Sequence, residues 1–281
     1  METKKHLISK YSGAGNDFFI INDLENSIDN KSFITSDICG KTENEKIDGV
    51  IFLEKSHHAD YKMNYFNRDG TGNSLCGNGL RCTAKYIFDE KISPEKIINI
   101  EAVDQIYKSE RISDNYFKIS LPPPKKIVTG LKLKVNFSEW WNDITCTFID
   151  CGSPHIVIFL DELKFITSLG EINVNEWGRN VRMHKDLMPE GVNVNFVNYN
   201  GENNNGEYNI ETRVYERGVE RETLASGTGS IASAIASALK YNIAPPINVL
   251  ARSGKILTVD FKLKTGSVYD LSLSGEAEKI V

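Results

Sequence analysis

A chain of 281 residues has room for one large domain or for two of about 100–150 residues. Its apolar share of 40% and charged share of 25% are ordinary for a globular protein, and a net charge of −5 with 33 scattered basic residues offers no basic stripe to nucleic acid. No apolar stretch approaches the roughly 18 residues that cross a bilayer, the opening Met1 to Lys10 lacks the apolar core of a signal peptide, and five irregularly spaced cysteines (Cys39, Cys76, Cys82, Cys146, Cys151) argue against a disulfide framework and for a reducing cytoplasm.

In chain order, short strand-like runs dominate. Phe18–Ile21, Gly49–Leu53, Tyr61–Phe66, Ile97–Val103 and Tyr116–Leu121 come first. The run Pro122-Pro-Pro-Lys-Lys126 then interrupts the pattern. Proline cannot donate to a strand ladder and favours extended linkers, so a domain boundary is expected at 121/122. The second half repeats the style with Cys146–Ile149, Ile156–Phe159, Val192–Val197 and Asn209–Tyr215, and Asn200–Gly206 reads as a hairpin loop. Late strands are expected at Ile256–Asp260 and Val268–Leu273. One long helix is expected in each half, Leu80–Asp89 and Ile231–Lys240. Leu80, Ala84 and Ile87 share a face of the first; Ile231, Ile235, Ala238 and Leu239 share a face of the second, whose remaining surface is largely Ala and Ser. A helix that small-sided all round belongs inside a wrap of strands. The expected fold is therefore α/β (α+β): two similar strand-rich, barrel-like domains, each around a central helix.

Both helices follow the same kind of turn. Cys76-Gly77-Asn78-Gly79 precedes the first and Ser226-Gly227-Thr228-Gly229 the second. Backbone N–H groups at a helix start are unpaired, and the helix dipole is positive there, so a carboxylate set between two such ends is held by main-chain donors. A cysteine at a helix start has its thiolate favoured, which places its pKa below about 8.5. Two thiols facing each other across an α-carbon could remove a proton from one face and deliver one to the other, inverting a stereocentre without a cofactor. Neither a dinucleotide fingerprint nor a phosphate-loop lysine motif is present, so no nucleotide is expected, and no cysteine spacing suits zinc.

The ordered blocks around these turns resemble the diaminopimelate epimerase family, PLP-independent enzymes of lysine synthesis. The blocks are Lys10-Tyr-Ser-Gly-Ala-Gly-Asn-Asp-Phe18, Phe66-Asn-Arg-Asp-Gly70, Cys76-Gly-Asn-Gly-Leu-Arg81, Gly152-Ser-Pro-His155, Val192-Asn193, Tyr215-Glu-Arg-Gly218 and Glu222-Thr-Leu-Ala-Ser-Gly-Thr-Gly229. The resemblance runs from Lys10 to the C-terminal strand. It implies that Cys76 and position 226 are the two catalytic acid/base residues. Gly77, Asn78, Gly227 and Thr228 would hold the substrate α-carboxylate. Asn16, Asn67, Asn193, Glu216 and Arg217 would meet the distal amino-acid end or the α-amino group, with Ser153 in a substrate-facing block and His155 beside the reacting centre. It also implies a last strand, 268–281, that rejoins a first domain of residues 1–121, a second domain of 122–267, a cleft between the halves, a homodimer, and a small-molecule amino-acid substrate.

Three positions depart from the family. Ser226 stands where it has cysteine, Ser153 where it usually has asparagine, and Gly218 to Thr223 is one residue longer than its commonest form. Serine is too weak an acid to serve as an unaided base at neutral pH, so the chain is either a Cys→Ser variant or a natural branch with altered chemistry. A racemase of another amino acid such as histidine, and a binding homologue without turnover, are the alternatives these departures raise. A phenazine-type isomerase fits less well because it relies on carboxylates in place of Cys76. Outside the motif blocks the bland readings hold, with Cys39, Cys82, Cys146 and Cys151 as small hydrophobes and His57-His58 as solvated loop. Inside them, Ser226 can be a helix cap as well as a site residue, and Glu216-Arg217, which alone would read as a surface ion pair, is raised to the site by the resemblance.

Overall fold

The structure is a computed structural model that describes residues 8–41, 47–72, 75–137, 141–163 and 166–280. Most of the opening segment read above for a leader, residues 1–7, and the end of the last expected strand at Val281 lie outside these. Packing divides the chain into two units, Met1–Leu121 with Ser274–Val281, and Pro122–Leu273. No described helix is long and apolar enough to cross a membrane.

The first unit contains β1 (Ile8–Gly13), β2 (Asn16–Asp23), α1 (Lys31–Lys41), β3 (Ile47–Glu54), β4 (Tyr61–Asn67), α2 (Gly77–Asp89), β5 (Ile97–Ala102), β6 (Gln105–Arg111) and β7 (Tyr116–Ser120). β1 and β2 form a hairpin closed by Ala14 (φ 55°) and Gly15 (φ 97°), the left-handed pair that a two-residue hairpin demands. β2 pairs parallel with β3, β3 antiparallel with β4, β4 parallel with β5, and β5 antiparallel with β6. Val50 to Leu53 are all buried, as a continuous apolar run between two covered faces requires. α2 touches β1 to β4, β6 and β7, so the sheet wraps it. Its Leu80, Ala84, Tyr86 and Ile87 join Tyr11, Phe18, Ile51 and Leu53 in one core.

The second unit contains β8 (Lys126–Asn136), β9 (Trp141–Asp150), β10 (Pro154–Phe159), α3 (Val174–Arg182), β11 (Asn193–Glu202), β12 (Tyr208–Glu216), β13 (Arg221–Thr223), α4 (Gly227–Tyr241), β14 (Ile247–Leu250), β15 (Ile256–Lys264) and most of β16 (Ser267–Glu276). The chain re-enters the first unit within β16 at Ser274 and ends in β17 (Glu278–Ile280), which pairs with β1. The pairing sequence is that of the first unit again: β9 antiparallel to β10, β10 parallel to β11, β11 antiparallel to β12, β12 parallel to β14, and β14 antiparallel to β15. α4 is buried at every residue from Gly229 to Ala238 and touches β9 to β12, β14 and β15. Leu239, placed on its apolar face by sequence, is only half-buried.

α1 and α3 occupy matching places, each linking the two parallel strands β2 and β3 or β10 and β11, and the expectation of one helix per half left both out. α1 buries Thr35 and Cys39 and packs the half-buried Ile34 and Ile38 beside them, a narrow stripe in a largely polar sequence. α3 carries a buried one: Val174, Trp177, Gly178 and Val181 are buried, and Trp177 stacks on Phe137 with ring centres 4.4 Å apart. Its start is a reciprocal cap in which Asn173 accepts from the Glu176 N–H and donates to the Glu176 carboxylate. The hairpin loop is shorter than 200–206 because Gly201 and Glu202 still pair with Asn209 and Tyr208 across a bulge.

Gly178 is where α3 meets β12. A Cβ there would lie 2.4 Å from Tyr215 Cβ and 2.6 Å from its Cγ. Gly178→Ala is expected to lower unfolding stability by about 1–3 kcal/mol through overpacking, measured by urea denaturation; an unchanged midpoint would contradict the α3–β12 packing.

Candidate active site

In the first unit, β4 delivers the chain through a turn to the start of α2, and Cys76 is its N-cap. Its backbone is extended (φ −124°, ψ 104°), and its Sγ accepts from the Gly79 N–H at 3.3 Å. A Cβ at Gly79 would be 3.3 Å from Cys76 Cβ and 3.2 Å from Ile51 Cδ1, so a side chain there would crowd the cap. The N–H groups of Gly77 and Asn78 have no partner among the described residues and stand at the positive end of the helix. The Asn78 side chain is otherwise occupied: it accepts from Arg81 Nη2 and donates to Asn16 Oδ1. Arg81 is fully buried and also reaches Gly77 O. Asn16 in turn donates to Asp48 Oδ2 at 3.1 Å, which also accepts from Asp17 N–H at 2.9 Å. Asn67, at the end of β4, is turned to Thr71, donating to its hydroxyl at 3.0 Å. Sequence therefore found Cys76, Asn16 and Asn78 together, but missed Asp48, which holds Asn16.

In the second unit, Ser226 is the N-cap of α4, with the same extended backbone (φ −136°, ψ 120°) and the same contact, its Oγ accepting from the Gly229 N–H at 3.2 Å. It is buried, and that N–H is the partner recorded for its hydroxyl. The N–H groups of Gly227 and Thr228 are unpartnered among the described residues. β10 and β11 lie parallel beside this helix start with His155 opposite Asn193. His155 is fully buried, its Nε2 2.9 Å from Ser153 Oγ and its Nδ1 3.0 Å from Asn195 Nδ2. Ser153 also reaches Thr228 Oγ1 at 3.2 Å. Burial is the main reason the imidazole is pushed down to about 3, and the charge of Arg217 acts in the same direction. Asn193 donates to Pro154 O at 3.1 Å and accepts from the Arg217 N–H at 2.8 Å, fixing the backbone at the end of β12, where Glu216 sits. The Arg217 guanidinium reaches Glu190 O and Gly191 O. The longer loop that follows is tied by Glu220, whose carboxylate accepts from Gly218 N–H, Tyr215 OH and Arg182 Nε.

Asn195 is the residue that sequence reading passed over here, and Cys151, read as a small hydrophobe, also makes a polar contact. Asn195 alternates with Asn193 along the buried first half of β11, where Val194, Phe196 and Val197 are apolar, a period-two polar pair that was available as a signal. Cys151 donates its thiol to Thr228 O at 3.3 Å. Burial pushes Cys151 and Cys146 up to about 12 and raises Cys39 and Cys82 as well. These four stay neutral thiols, while Cys76 sits half-exposed at a helix start. His57 and His58 are exposed.

The family model for diaminopimelate epimerase matches residues 8–115 and 147–275. A diaminopimelate epimerase of Aquifex aeolicus is 34% identical over 97% of this chain and 98% of its own length, and one of Chlorobaculum tepidum is 32% identical over 96% and 97%. Among solved structures, a PhzF-family phenazine biosynthesis protein of Bacillus anthracis superposes with a TM-score of 0.69 at 13% identity, covering 98% of this chain and 96% of that one. A hydroxyproline epimerase of Agrobacterium vitis superposes with a TM-score of 0.68 at 14% identity, covering 100% and 92%. At these identities the two structures share the α/β fold of strand-wrapped helices and carry no more than that. The match of family model and relatives over nearly the whole length shows that this chain belongs to the diaminopimelate epimerase family.

Proposed function

We propose that this protein is a cofactor-independent isomerase that interconverts LL- and meso-diaminopimelate by proton transfer at an α-carbon. The observation that carries the reading is the pair of matched helix caps, Cys76 and Ser226, each followed by two N–H groups without a partner among the described residues at a positive helix end. In the proposed reaction the Cys76 sulfur, as thiolate, takes the α-proton and becomes a thiol. The electron pair left on the α-carbon spreads into the α-carboxylate, which unpartnered main-chain N–H groups at a positive helix start are suited to stabilise. In the family reading, position 226 supplies the returning proton that completes inversion. In the reverse direction position 226 must be the base, and a serine whose recorded partner is a backbone donor is poorly equipped for that. Asn16, Asn67, Glu216 and Arg217 are assigned to the amino-acid groups of the substrate, Asn193 to holding Arg217 in place, and His155 and Ser153 to the surroundings of the α4 start. The family supplies the accompanying expectations of a homodimer, a cytoplasmic setting and a role in lysine synthesis.

The test is to incubate the protein with LL-diaminopimelate in deuterium oxide, following the α-proton by NMR and the meso product by chiral separation. The unmodified protein is expected to exchange the α-proton with little inversion, because Cys76 can remove and return a proton on its own face. Absence of exchange from both the unmodified protein and its Ser226→Cys variant would refute the assignment.

A further inference from the structure

The hydrogen bonds leading to the start of α4 can run in one direction only. Asn195 Nδ2 lies 3.1 Å from Ile156 O and 3.0 Å from His155 Nδ1. A carbonyl oxygen only accepts, so the atom facing it must be the amide NH2, and the second hydrogen of that NH2 is aimed at Nδ1. Turning the amide over would set oxygen against oxygen at Ile156. The Asn195 Oδ1 that results is buried without a partner, and it lies where a Cβ at position 229 would come within 2.6 Å, so the amide is seated against Gly229. Nδ1 of His155 is therefore an acceptor, and the single proton of the neutral ring is on Nε2. Nε2–H donates to Ser153 Oγ, the Ser153 hydroxyl passes its own hydrogen to Thr228 Oγ1, and the Thr228 hydroxyl keeps a hydrogen with no acceptor bonded to it among the described residues.

We propose that Asn195, His155 and Ser153 are positioning residues that hold the Thr228 hydroxyl as a fixed hydrogen-bond donor towards a carboxylate bound at the start of α4. The proposal rests on the reading of that helix start as the α-carboxylate site. A threonine hydroxyl left to itself can offer a hydrogen or a lone pair, and a lone pair facing a carboxylate is repulsive. The relay removes that choice before the ligand arrives, adding a side-chain donor to the Gly227 and Thr228 N–H groups. The bonds run in one direction: the amide gives to the imidazole, the imidazole to Ser153, and Ser153 to Thr228, whose own hydrogen is left for a ligand.

Asn195→Asp reverses the relay. A carboxylate draws the ring proton to Nδ1, Nε2 becomes an acceptor, Ser153 donates to it, Thr228 donates to Ser153, and the ligand meets a lone pair. The expected result has two parts. First, 15N NMR of the unliganded, unmodified protein shows His155 protonated on Nε2 and bare on Nδ1, and Asn195→Asp exchanges the two. Second, Asn195→Asp weakens diaminopimelate binding, measured by calorimetry, about 10–100-fold, the size of a lost hydrogen bond to a charged group, but has no further effect in a Thr228→Val background. Ser153→Ala serves in the same cycle should Asn195→Asp fail to fold. A ring protonated on Nδ1 in the unmodified protein, or equal losses with and without the Thr228 hydroxyl, would overturn the proposal. Complete failure to bind diaminopimelate would instead sink the substrate reading, and the tautomer, read without ligand, is decided separately from it.

Discussion

Ser226→Cys is expected to raise the rate of epimerisation about 10²–10⁴-fold, the contribution of one well-placed acid/base group. The argument is geometric. The cap at position 226 already has the extended backbone of the cap at Cys76, and its side-chain oxygen takes the same i+3 N–H at 3.2 Å that the Cys76 sulfur takes at 3.3 Å. A sulfur therefore enters a position built like its counterpart. The gain is expected in kcat rather than KM, because the carboxylate donors at this end are the main-chain N–H groups of Gly227 and Thr228, which the substitution leaves alone. Cys76→Ala in the same protein is expected to reduce inversion by a comparable factor and to abolish α-proton exchange in the unmodified protein. Steady-state kinetics with LL-diaminopimelate measure the first and isotope exchange the second. A Ser226→Cys protein no faster than its parent would show that the missing thiol is not what limits turnover.

His155 is expected to dominate the acid limb of stability. The unfolded chain binds a proton on this residue near its ordinary value of 6.5, and the folded chain, with the ring buried, only near 3. Between those values the unfolded state holds more protons, so stability falls as pH falls. The contribution is fully present above pH 6.5, is lost at about 1.4 kcal/mol per pH unit below it, and is gone near pH 3. Comparing urea unfolding at pH 7 and pH 3.5, the unmodified protein should lose about 4 kcal/mol more than His155→Gln, which has no ring to protonate. Equal losses would mean that the imidazole becomes charged in place, and with a proton on Nδ1 the Asn195 contact would be a clash of donors.

What could be read from residues alone follows from how local each signal is. Cys76 and Ser226 were legible because a small nucleophile before Gly-x-Gly and a helix-like run is a one-dimensional pattern with a three-dimensional meaning. α4 was legible because its Ala and Ser surface fits only inside a strand wrap. α1 was not, since its buried face is narrow: Thr35 and Cys39 are covered, Ile34 and Ile38 only partly, and the rest of the sequence is largely polar. α3 had both a reciprocal cap at Asn173 and Glu176 and apolar positions at helical spacing, and could have been found. The strands β8 and β9 extend far beyond the short run at Cys146–Ile149 because long-range pairing with each other sustains them. Within the site, the hidden residues are those whose role depends on a partner distant in sequence: Asp48 on Asn16, Cys151 on Thr228 O, Asn195 on His155. Asn78 shows the reverse limit. Its motif position suggested a ligand contact, but its side chain is committed to Asn16 and to the buried guanidinium of Arg81.

The likeness of the two caps bears on how such a protein drifts. A cap is satisfied by any small side chain that accepts one N–H, and here oxygen and sulfur do so at nearly the same distance with the same backbone. Exchanging one for the other changes a reaction coordinate while leaving the native state's free energy almost untouched. Folding therefore exerts no selection for the second thiol; only flux through the reaction does. A lineage that stops needing that flux can shed the sulfur in a single step and keep an intact scaffold with the helix-start donors in place.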